Sequence, residues 1–145
     1  MKPTDISDLP PDDVSAESLD VESLARKFQK ELNSGLISLV LLSVLARAGE
    51  DLYGYQIAKR LQGDGNTGIP MKQGALYPVL RTLSAHGLLA SRVVPSYAGP
   101  PRRYYKITPA GREALLRWNT IWSSTRDFVD NVAARTAPNT TPPTE

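Results

Sequence analysis

The stretch GPPRRYYKIT, residues Gly99 to Thr108, decides the fold. Most of it, from Arg102 to Ile107, has the composition of a β-strand, and so does Leu89 to Val94 before it. The loop between them, Pro95 to Pro101, is rich in proline and glycine, so the two strands are predicted to form an antiparallel hairpin. One face of the second strand carries Arg103, Tyr105 and Ile107, and the other face carries Arg102, Tyr104 and Lys106. One of the two tyrosines is therefore expected to pack in the core while the other stays near the surface.

Two apolar patterns precede the hairpin near the N-terminus. The first has apolar residues at spacings of three and four, which predicts an amphipathic helix. These residues are Val21, Leu24, Phe28 and Leu32. The second, Leu36 to Leu45, is apolar almost all round, which predicts a central helix that is covered on several sides. We expect Asn33-Ser34-Gly35 to bend or break the chain between the two.

Two more helices are predicted before the hairpin. The first runs from about Tyr53 to Leu61, and a glycine-rich loop, Gly63 to Gly68, follows it. The second runs from Lys72 to Ala85, and His86-Gly87 ends it with glycine in the C-terminal cap position. The buried face of this second helix is expected to carry Leu76, Leu80 and Leu83.

A last helix is predicted after the hairpin, from Thr108-Pro109 to about Arg135. A capping hydroxyl followed by proline in the first helical position is typical of a helix start. Three helices followed by a hairpin describe a winged helix-turn-helix, a mainly α fold with a small β-hairpin (α+β). The predicted parts are an acidic disordered arm (1–20), the winged helix-turn-helix with its N-terminal helix (21–107), the C-terminal helix (108–135) and a disordered tail (136–145).

Composition excludes several classes of protein. The sequence has no cysteine, which excludes disulfides, thiolate metal sites and cysteine catalysis. The N-terminus lacks the basic-then-apolar pattern of a secretion signal. The longest nearly apolar run, Leu36 to Leu45, is about half of the roughly 20 residues that cross a bilayer. We therefore expect a soluble, cytoplasmic protein that has no membrane partner.

The net charge of +2 conceals an asymmetry along the chain. Residues 1–24 hold one basic and seven acidic residues, a net charge of −6, and the remainder holds 16 basic and eight acidic residues, a net charge of +8. A basic globular part indicates a polyanionic partner, of which nucleic acid is the commonest. The alternative is a soluble surface with an uneven distribution of charge.

The predicted helix from Lys72 to Ala85 begins with residues that a surface helix rarely has. Lys72 stands where a serine or aspartate cap is favoured, and its charge opposes the helix dipole, but beside a phosphate or a guanine it is favourable. Gln73 is suited to a bidentate contact with adenine. Pro78 removes the hydrogen bond to the Gly74 carbonyl, and glycine at that position relieves the bend and lets DNA approach closely. Arg81 is expected to contact a phosphate. The alternative is a packing helix with solvated polar residues.

The hairpin supports an interaction with nucleic acid. Its tip, Gly99-Pro100-Pro101, is stiff, and Arg102 and Arg103 stand beside it. Arginines in such a position commonly contact phosphates or the minor groove. An ordinary hairpin with aromatic packing explains the tyrosines but leaves the arginine-proline tip unexplained.

Three stretches together resemble the signature sequences of the PadR family of winged helix-turn-helix regulators. They occur in the expected order, between about Leu36 and Gly111, and they are Tyr53-Gly54-Tyr55-Gln56-Ile57, Gly74-Ala75-Leu76-Tyr77-Pro78-Val79-Leu80 and Gly99 to Thr108. The resemblance implies a dimeric regulator, usually a repressor, that binds double-stranded DNA and is often released by a small molecule. The DNA-contacting positions that it implies are Tyr53, Tyr55, Lys72, Gln73, Gly74, Tyr77, Pro78 and the wing arginines Arg102 and Arg103. Lys72 and Ala75 depart from the family pattern, so the operator of a relative cannot be assigned to this chain.

The C-terminal helix carries an apolar seam of the kind that pairs with another helix. Its members alternate spacings of three and four, and they are Leu115, Trp118, Trp122, Thr125, Val129 and Val132. One chain of this size has little left to cover two tryptophans, so the seam is predicted to form a homodimer interface together with the helix around Phe28. The resemblance implies the same arrangement, in the short form of the family with a single C-terminal helix.

The same helix is a candidate ligand site. Trp118 and Trp122 are four residues apart and share a face, and Arg126 follows one turn later. Two copies of Trp122 across a two-fold axis have the geometry to sandwich a planar aromatic effector, as the resemblance implies for relatives that bind such compounds. The alternative is that both tryptophans only fill the interface, since large apolar residues dominate interface cores.

Two other functions are alternatives to DNA binding. An enzyme is not indicated, because the sole histidine, His86, stands at a helix end with no partner for catalysis, and no nucleotide-binding glycine motif occurs. The sequence thus predicts no catalytic residue, metal or cofactor. A winged helix that binds only proteins is the second alternative, but such a module has no need to keep Lys72, Gln73, Arg81, Arg102 and Arg103.

Overall fold

The structure is a computed structural model, and it describes residues 20–62, 69 and 72–136. Its elements in chain order are α1 (Val21–Ala48), β1 (Leu52–Tyr53), α2 (Gly54–Leu61), α3 (Gln73–Ala85), β2 (Leu89–Val94), β3 (Arg102–Ile107) and α4 (Pro109–Thr136). The predicted glycine-rich loop lies outside the described residues, and so do the predicted arm and tail apart from Asp20 and Thr136. The chain divides into two units after Gly35.

The second unit, from residue 36 on, contains the hydrophobic core. Its buried residues come from the second half of α1, from α2 and α3, and from all three strands. They are Ile37, Leu41, Leu42, Leu45, Leu52, Ile57, Ala58, Leu61, Leu76, Leu80, Leu83, Leu89, Tyr105 and Ile107. Three helices and an antiparallel sheet that share one core form a winged helix-turn-helix, so the predicted fold class is confirmed.

The sheet has three strands in the order β1-β3-β2, and both pairs are antiparallel. The predicted hairpin is confirmed with its predicted bounds, and its register runs from Leu89 opposite Ile107 to Val94 opposite Arg102. Tyr105 is the buried tyrosine of β3, whereas Tyr104 is half-buried. The sequence did not predict β1, because a strand of two residues shows no periodicity and exists only through its pairing with β3.

The predicted break at Asn33-Ser34-Gly35 is wrong, because α1 is one continuous helix from Val21 to Ala48. A glycine in a helix interior costs about 1 kcal/mol relative to alanine. Extension of an existing helix adds a hydrogen bond for each residue that it fixes, so this cost does not end α1. In the first unit, the apolar residues Val21, Leu24 and Phe28 are exposed.

The helix α1 is long and apolar enough to cross a membrane, by length and composition alone. Core helices of soluble proteins pass the same test, so this is weak evidence. In the second unit, α1 contributes Ile37, Leu41, Leu42 and Leu45 to the core.

Thr108 joins the hairpin to α4 and to the end of α3. Its hydroxyl accepts a hydrogen bond from the backbone N–H of Gly111 at 3.0 Å, as predicted for a helix cap, and donates to the carbonyl oxygen of Gly87 at 2.7 Å. Gly87 has a φ of +77°, which favours glycine, and it ends α3 as expected. The backbone N–H of Thr108 also donates to the Leu88 carbonyl oxygen at 3.1 Å. One residue therefore fixes where α4 begins.

The first turn of α4 packs so closely that Gly111 has no room for a side chain. A Cβ atom there would overlap the Leu88 carbonyl oxygen and lie 2.7 Å from Cγ1 of Ile107. We predict that Gly111→Ala lowers the free energy of unfolding by about 1–3 kcal/mol, the usual cost of overpacking. Chemical denaturation with circular dichroism measures this change.

The matched control is Gly35→Ala, since a Cβ atom at Gly35 meets no other atom within 4 Å in the described structure. This variant is expected to be neutral or slightly stabilised, because alanine has the higher helix propensity. A Gly111→Ala protein as stable as Gly35→Ala would contradict the close packing of α4 on the hairpin.

Candidate nucleic-acid interface

One side of α3 faces away from the core and carries most of the residues that the sequence singled out on this helix. Lys72 is the N-cap residue, with extended backbone and no capping side-chain hydrogen bond, as predicted. Lys72, Gly74, Pro78 and Arg81 are exposed. Because the opposite side of the helix is buried, these four residues are available to a partner.

Gly74 has a different environment from the one we expected. Apart from its chain neighbours and the backbone of its own helix, a Cβ atom at this position would meet no described atom within 4 Å, and the ring of Pro78 is among the groups that it does not reach. The hypothesis that glycine relieves crowding at the proline bend is therefore wrong. Within the described structure nothing requires glycine here, although glycine weakens a helix by about 0.5–1 kcal/mol relative to alanine.

Gln73 and Tyr77 form a pair at the start of α3. The Gln73 amide donates a hydrogen bond from Nε2 to the Tyr77 hydroxyl oxygen at 2.9 Å. Both side chains lie against Gly54, the first residue of α2, where a Cβ atom would be 2.9 Å from the Tyr77 hydroxyl oxygen. The glycine thus lets α2 and α3 approach closely, and the amide of Gln73 is held in one orientation.

Tyrosine and arginine side chains stack beside this pair. The ring of Tyr53 lies 6.3 Å from that of Tyr55 and 5.4 Å from that of Tyr104, measured between ring centroids. The Arg102 guanidinium lies 4.6 Å from the centroid of Tyr53, and that of Arg92 lies 5.2 Å from the centroid of Tyr104. Stacking of this kind orders arginine side chains at the surface. The wing arginine Arg102 is thereby held against Tyr53, one of the two predicted tyrosines.

An open cleft of about 440 Å³ lies between α3 and the wing, by which we mean the β2–β3 hairpin with its loop. We name it the wing cleft. It brings together five residues predicted from the sequence, namely Tyr53, Gln73, Tyr77, Arg102 and Arg103. Gly54 and the tip residues Gly99, Pro100 and Pro101 also line it. The other predicted residues, Tyr55, Lys72, Gly74, Pro78 and Arg81, do not line this cleft.

Three residues of this surface were not predicted individually from the sequence. Gly54 stood within the first signature stretch, so that stretch was a signal that could have found it. The sequence predicted one surface tyrosine on β3 without saying which, and the contact of Tyr104 with Tyr53 depends on the pairing of β1 with β3. Arg92 had no local signal, because its ion pair with Asp51, at 2.7 Å, joins residues that are 41 positions apart.

The charge of this part of the chain is strongly positive. Residues 52–112 hold nine lysines and arginines and one acidic residue, Asp64, a net charge of +8. Among the described residues, none of Lys72, Arg81, Arg102 and Arg103 forms an ion pair, although arginines elsewhere do, as in Arg60–Glu50 and Arg117–Glu113. Four cations without counter-ions on α3 and the wing are available to a polyanion.

The predicted seam on α4 has two different parts. Leu115 and Trp118 are half-buried and pack against the core of their own chain, so they are only partly available to a second copy. Trp122 is half-buried, and Thr125, Val129 and Val132 are exposed. The exposed apolar surface is also wider than predicted. It includes Leu116, Ile121 and Phe128, of which Phe128 is 69% exposed.

The candidate ligand residue Arg126 is partly engaged. Its guanidinium group lies 3.3 Å from the Asp127 carboxylate, and both side chains are exposed. An exposed pair of neighbours is weak, so it leaves the arginine available to another anion.

Comparisons with known proteins agree with this geometry. A model of the transcriptional regulator PadR-like family matches residues 41–117, which include α2, α3 and the hairpin. The chain is similar to a transcriptional regulator of Mycobacterium tuberculosis, with 39% identity over 93 residues, which are 62% of this chain and 75% of the relative.

Solved structures are similar in the same region. A PadR family transcriptional regulator from Eggerthella lenta has a TM-score of 0.70 at 30% identity and covers 80% of this chain and 97% of its own. A PadR-like transcriptional regulator from Bacillus cereus has a TM-score of 0.58 at 27% identity, with coverage of 71% and 96%.

Proposed function

We propose a specific mode of action for this chain, which belongs to the PadR-like family of transcriptional regulators. It binds a palindromic operator in double-stranded DNA as a homodimer and represses transcription there. The helix α3 enters the major groove, and the wing contacts the neighbouring backbone or the minor groove. The observation that carries the proposal is the net charge of +8 over residues 52–112, with unpaired cations on both α3 and the wing.

The two parts of this surface have different roles in DNA binding. Lys72 and Gln73 stand at the N-terminal end of α3, from which recognition helices contact base edges. A glutamine amide pairs with adenine through N6 and N7, and a lysine pairs with guanine through O6 and N7. The Gln73 amide donates one of its two N–H groups to the Tyr77 hydroxyl, so its second N–H and its oxygen remain for a bidentate contact with adenine. Arg102 and Arg103 hold the protein on the phosphate backbone, which positions α3 without selecting a sequence.

Cations that contact DNA are distinguished by the salt dependence of binding. We predict that Lys72→Ala and Arg102→Ala each weaken binding to a genomic DNA fragment selected by the wild-type protein. Each is expected to reduce the slope of log K against log salt by about 0.9, because each releases one counter-ion fewer. Fluorescence anisotropy titrations at several salt concentrations measure both quantities.

The control is Arg117→Ala, which removes an exposed arginine of α4 that is paired with Glu113. It is expected to leave both the affinity and the slope unchanged. Unchanged slopes for Lys72→Ala and Arg102→Ala would contradict the proposed interface, and a wild-type protein that selects no fragment would contradict sequence-specific binding.

The proposal of a homodimer is supported by the exposed apolar residues of α4. Ile121, Phe128, Val129 and Val132 stand on adjacent turns, and each is about half exposed or more in the single chain. Soluble monomers rarely expose apolar surface of this extent. Phe28 on α1, at 64% exposed, is proposed to take part as well. A two-fold dimer presents two copies of α3, which is the reason for a palindromic operator.

The interface is tested by placing a charge within it. We predict that Phe128→Glu converts the dimer to a monomer at micromolar concentration and weakens operator binding. Asn119→Glu, which introduces the same charge at an exposed polar position on the side of α4 opposite Phe128, is expected to remain a dimer. Light scattering coupled to size exclusion measures the mass. A wild-type monomer, or a dimeric Phe128→Glu protein, would contradict the proposal.

We also propose that a planar aromatic compound binds between the two copies of Trp122 and releases the repressor from DNA. Arg126, one turn later, and the half-buried Trp118 are its proposed neighbours. We expect planar aromatic dyes to quench tryptophan fluorescence and to weaken operator binding in the wild type, and both effects to disappear in Trp122→Ala. Quenching that persists in this variant, or never occurs, leaves the tryptophans as interface residues only.

A further inference from the structure

A second open cleft, of about 610 Å³, lies between the C-terminal half of α3 and the β2–β3 strands. We name it the sheet cleft. The polar residues that line it are Tyr77, Arg81, Ser84, Ser91, Arg103 and Tyr105. Its volume is in the range of small-molecule sites, and it shares Tyr77 and Arg103 with the wing cleft.

The two arginines give the sheet cleft a positive charge. Arg103 donates a hydrogen bond from Nη1 to the Ser91 hydroxyl at 3.1 Å, which holds its guanidinium on the sheet side. Arg81 stands on the opposite wall, on α3. Neither forms an ion pair among the described residues, and no acidic side chain lines the cleft. A site of this composition favours an anion.

Two hydroxyl groups add to this arrangement. Ser84 Oγ is buried and has no hydrogen-bond partner in the described part of the chain. The Tyr105 hydroxyl likewise has no hydrogen bond to a described residue. Burial raises the pKa of Tyr105, while Arg103 and, less strongly, Arg81 lower it, and the net direction is upward. Tyr105 therefore keeps its proton at neutral pH and is a donor. A buried hydroxyl without a partner is costly, and an anion in the cleft would accept from both groups.

We propose that the sheet cleft binds a phosphate group, held by the guanidinium groups of Arg81 and Arg103 with donation from Ser84 and Tyr105. Guanidinium groups match the geometry of phosphate oxygens. The phosphate has two possible sources. One is the DNA strand that passes between α3 and the wing, and this source rests on the proposed function. The other is a phosphorylated small molecule, which would compete with DNA for Arg103.

The first arm of the test uses inorganic phosphate and the full chain. At constant ionic strength, phosphate in place of chloride is expected to raise the melting temperature of the wild type. Arg81→Gln is expected to lower the apparent affinity for phosphate roughly tenfold, the usual effect of losing a charge-assisted hydrogen bond. Arg117→Gln, on α4, is expected to behave as wild type. This arm does not require operator binding, so it stands even if the proposed function fails.

Ser84→Ala separates a binding role from a purely structural one. The variant removes a buried hydroxyl that has no partner in the described structure, so its stability without phosphate is expected to be equal or higher. Its affinity for phosphate is expected to fall severalfold. Unchanged phosphate affinity in both Ser84→Ala and Arg81→Gln overturns the site.

The second arm identifies the source of the phosphate. Binding of the wild type and of Arg81→Gln is measured with a set of copies of the selected DNA fragment. Each copy carries one neutral methylphosphonate in place of a backbone phosphate. If the source is DNA, methylphosphonate at either of two symmetry-related positions weakens binding by the wild type. The same substitution does not weaken binding by the Arg81→Gln variant any further. If it is a small molecule, no position is coupled to Arg81, while inorganic phosphate stabilises the protein and reduces DNA binding. The proposal is overturned if no DNA position is coupled to Arg81 and inorganic phosphate does not stabilise the protein.

Discussion

Three leucines on one side of α3 are buried in the core, namely Leu76, Leu80 and Leu83. Their burial fixes the orientation of the helix about its own axis. Burial of each leucine side chain contributes about 1.5–3 kcal/mol of transfer free energy, so a rotated helix is excluded. The opposite side, with Gly74, Pro78 and Arg81, is therefore the side that faces solvent, and Lys72 stands exposed at the N-cap. The proposed contacts with DNA depend on this constraint, because it decides which residues a partner can reach.

The sheet fixes the wing relative to the same helix. Tyr105 and Ile107 of β3 are buried in the core, and the alternation of the strand then places Tyr104 on its other face. Tyr104 contacts Tyr53, whose ring carries the Arg102 guanidinium. The position of a wing arginine is thus determined by residues of the core and of β1. The sheet cleft follows from the same arrangement, since its walls are α3 and the β2–β3 pair.

Periodicity and cap residues predicted most of the fold. The leucine spacing of α3, the alternation of β3 and the cap at Thr108 are local patterns, and the structure has each of them. Prediction from the sequence failed where the structure depends on contacts between distant residues or on small differences in free energy. The strand β1 exists through its partner β3, and the continuity of α1 depends on a glycine cost too small to end a helix. The candidate site followed the same rule. Five of the predicted residues line the wing cleft, whereas Arg92 required the tertiary structure, because its partner Asp51 is 41 positions away.

The central claim is that the exposed side of α3 lies against DNA, and Gly74→Ala tests it most directly. The added methyl group meets no other residue of the described structure, and alanine favours the helix, so the free energy of unfolding is expected to rise by about 0.5–1 kcal/mol. The affinity for the selected DNA fragment is expected to fall, because the methyl group separates the helix from the DNA. Opposite signs for stability and affinity, measured by denaturation and anisotropy on one protein, support the claim. A variant that is more stable and binds the fragment as well as the wild type would contradict it.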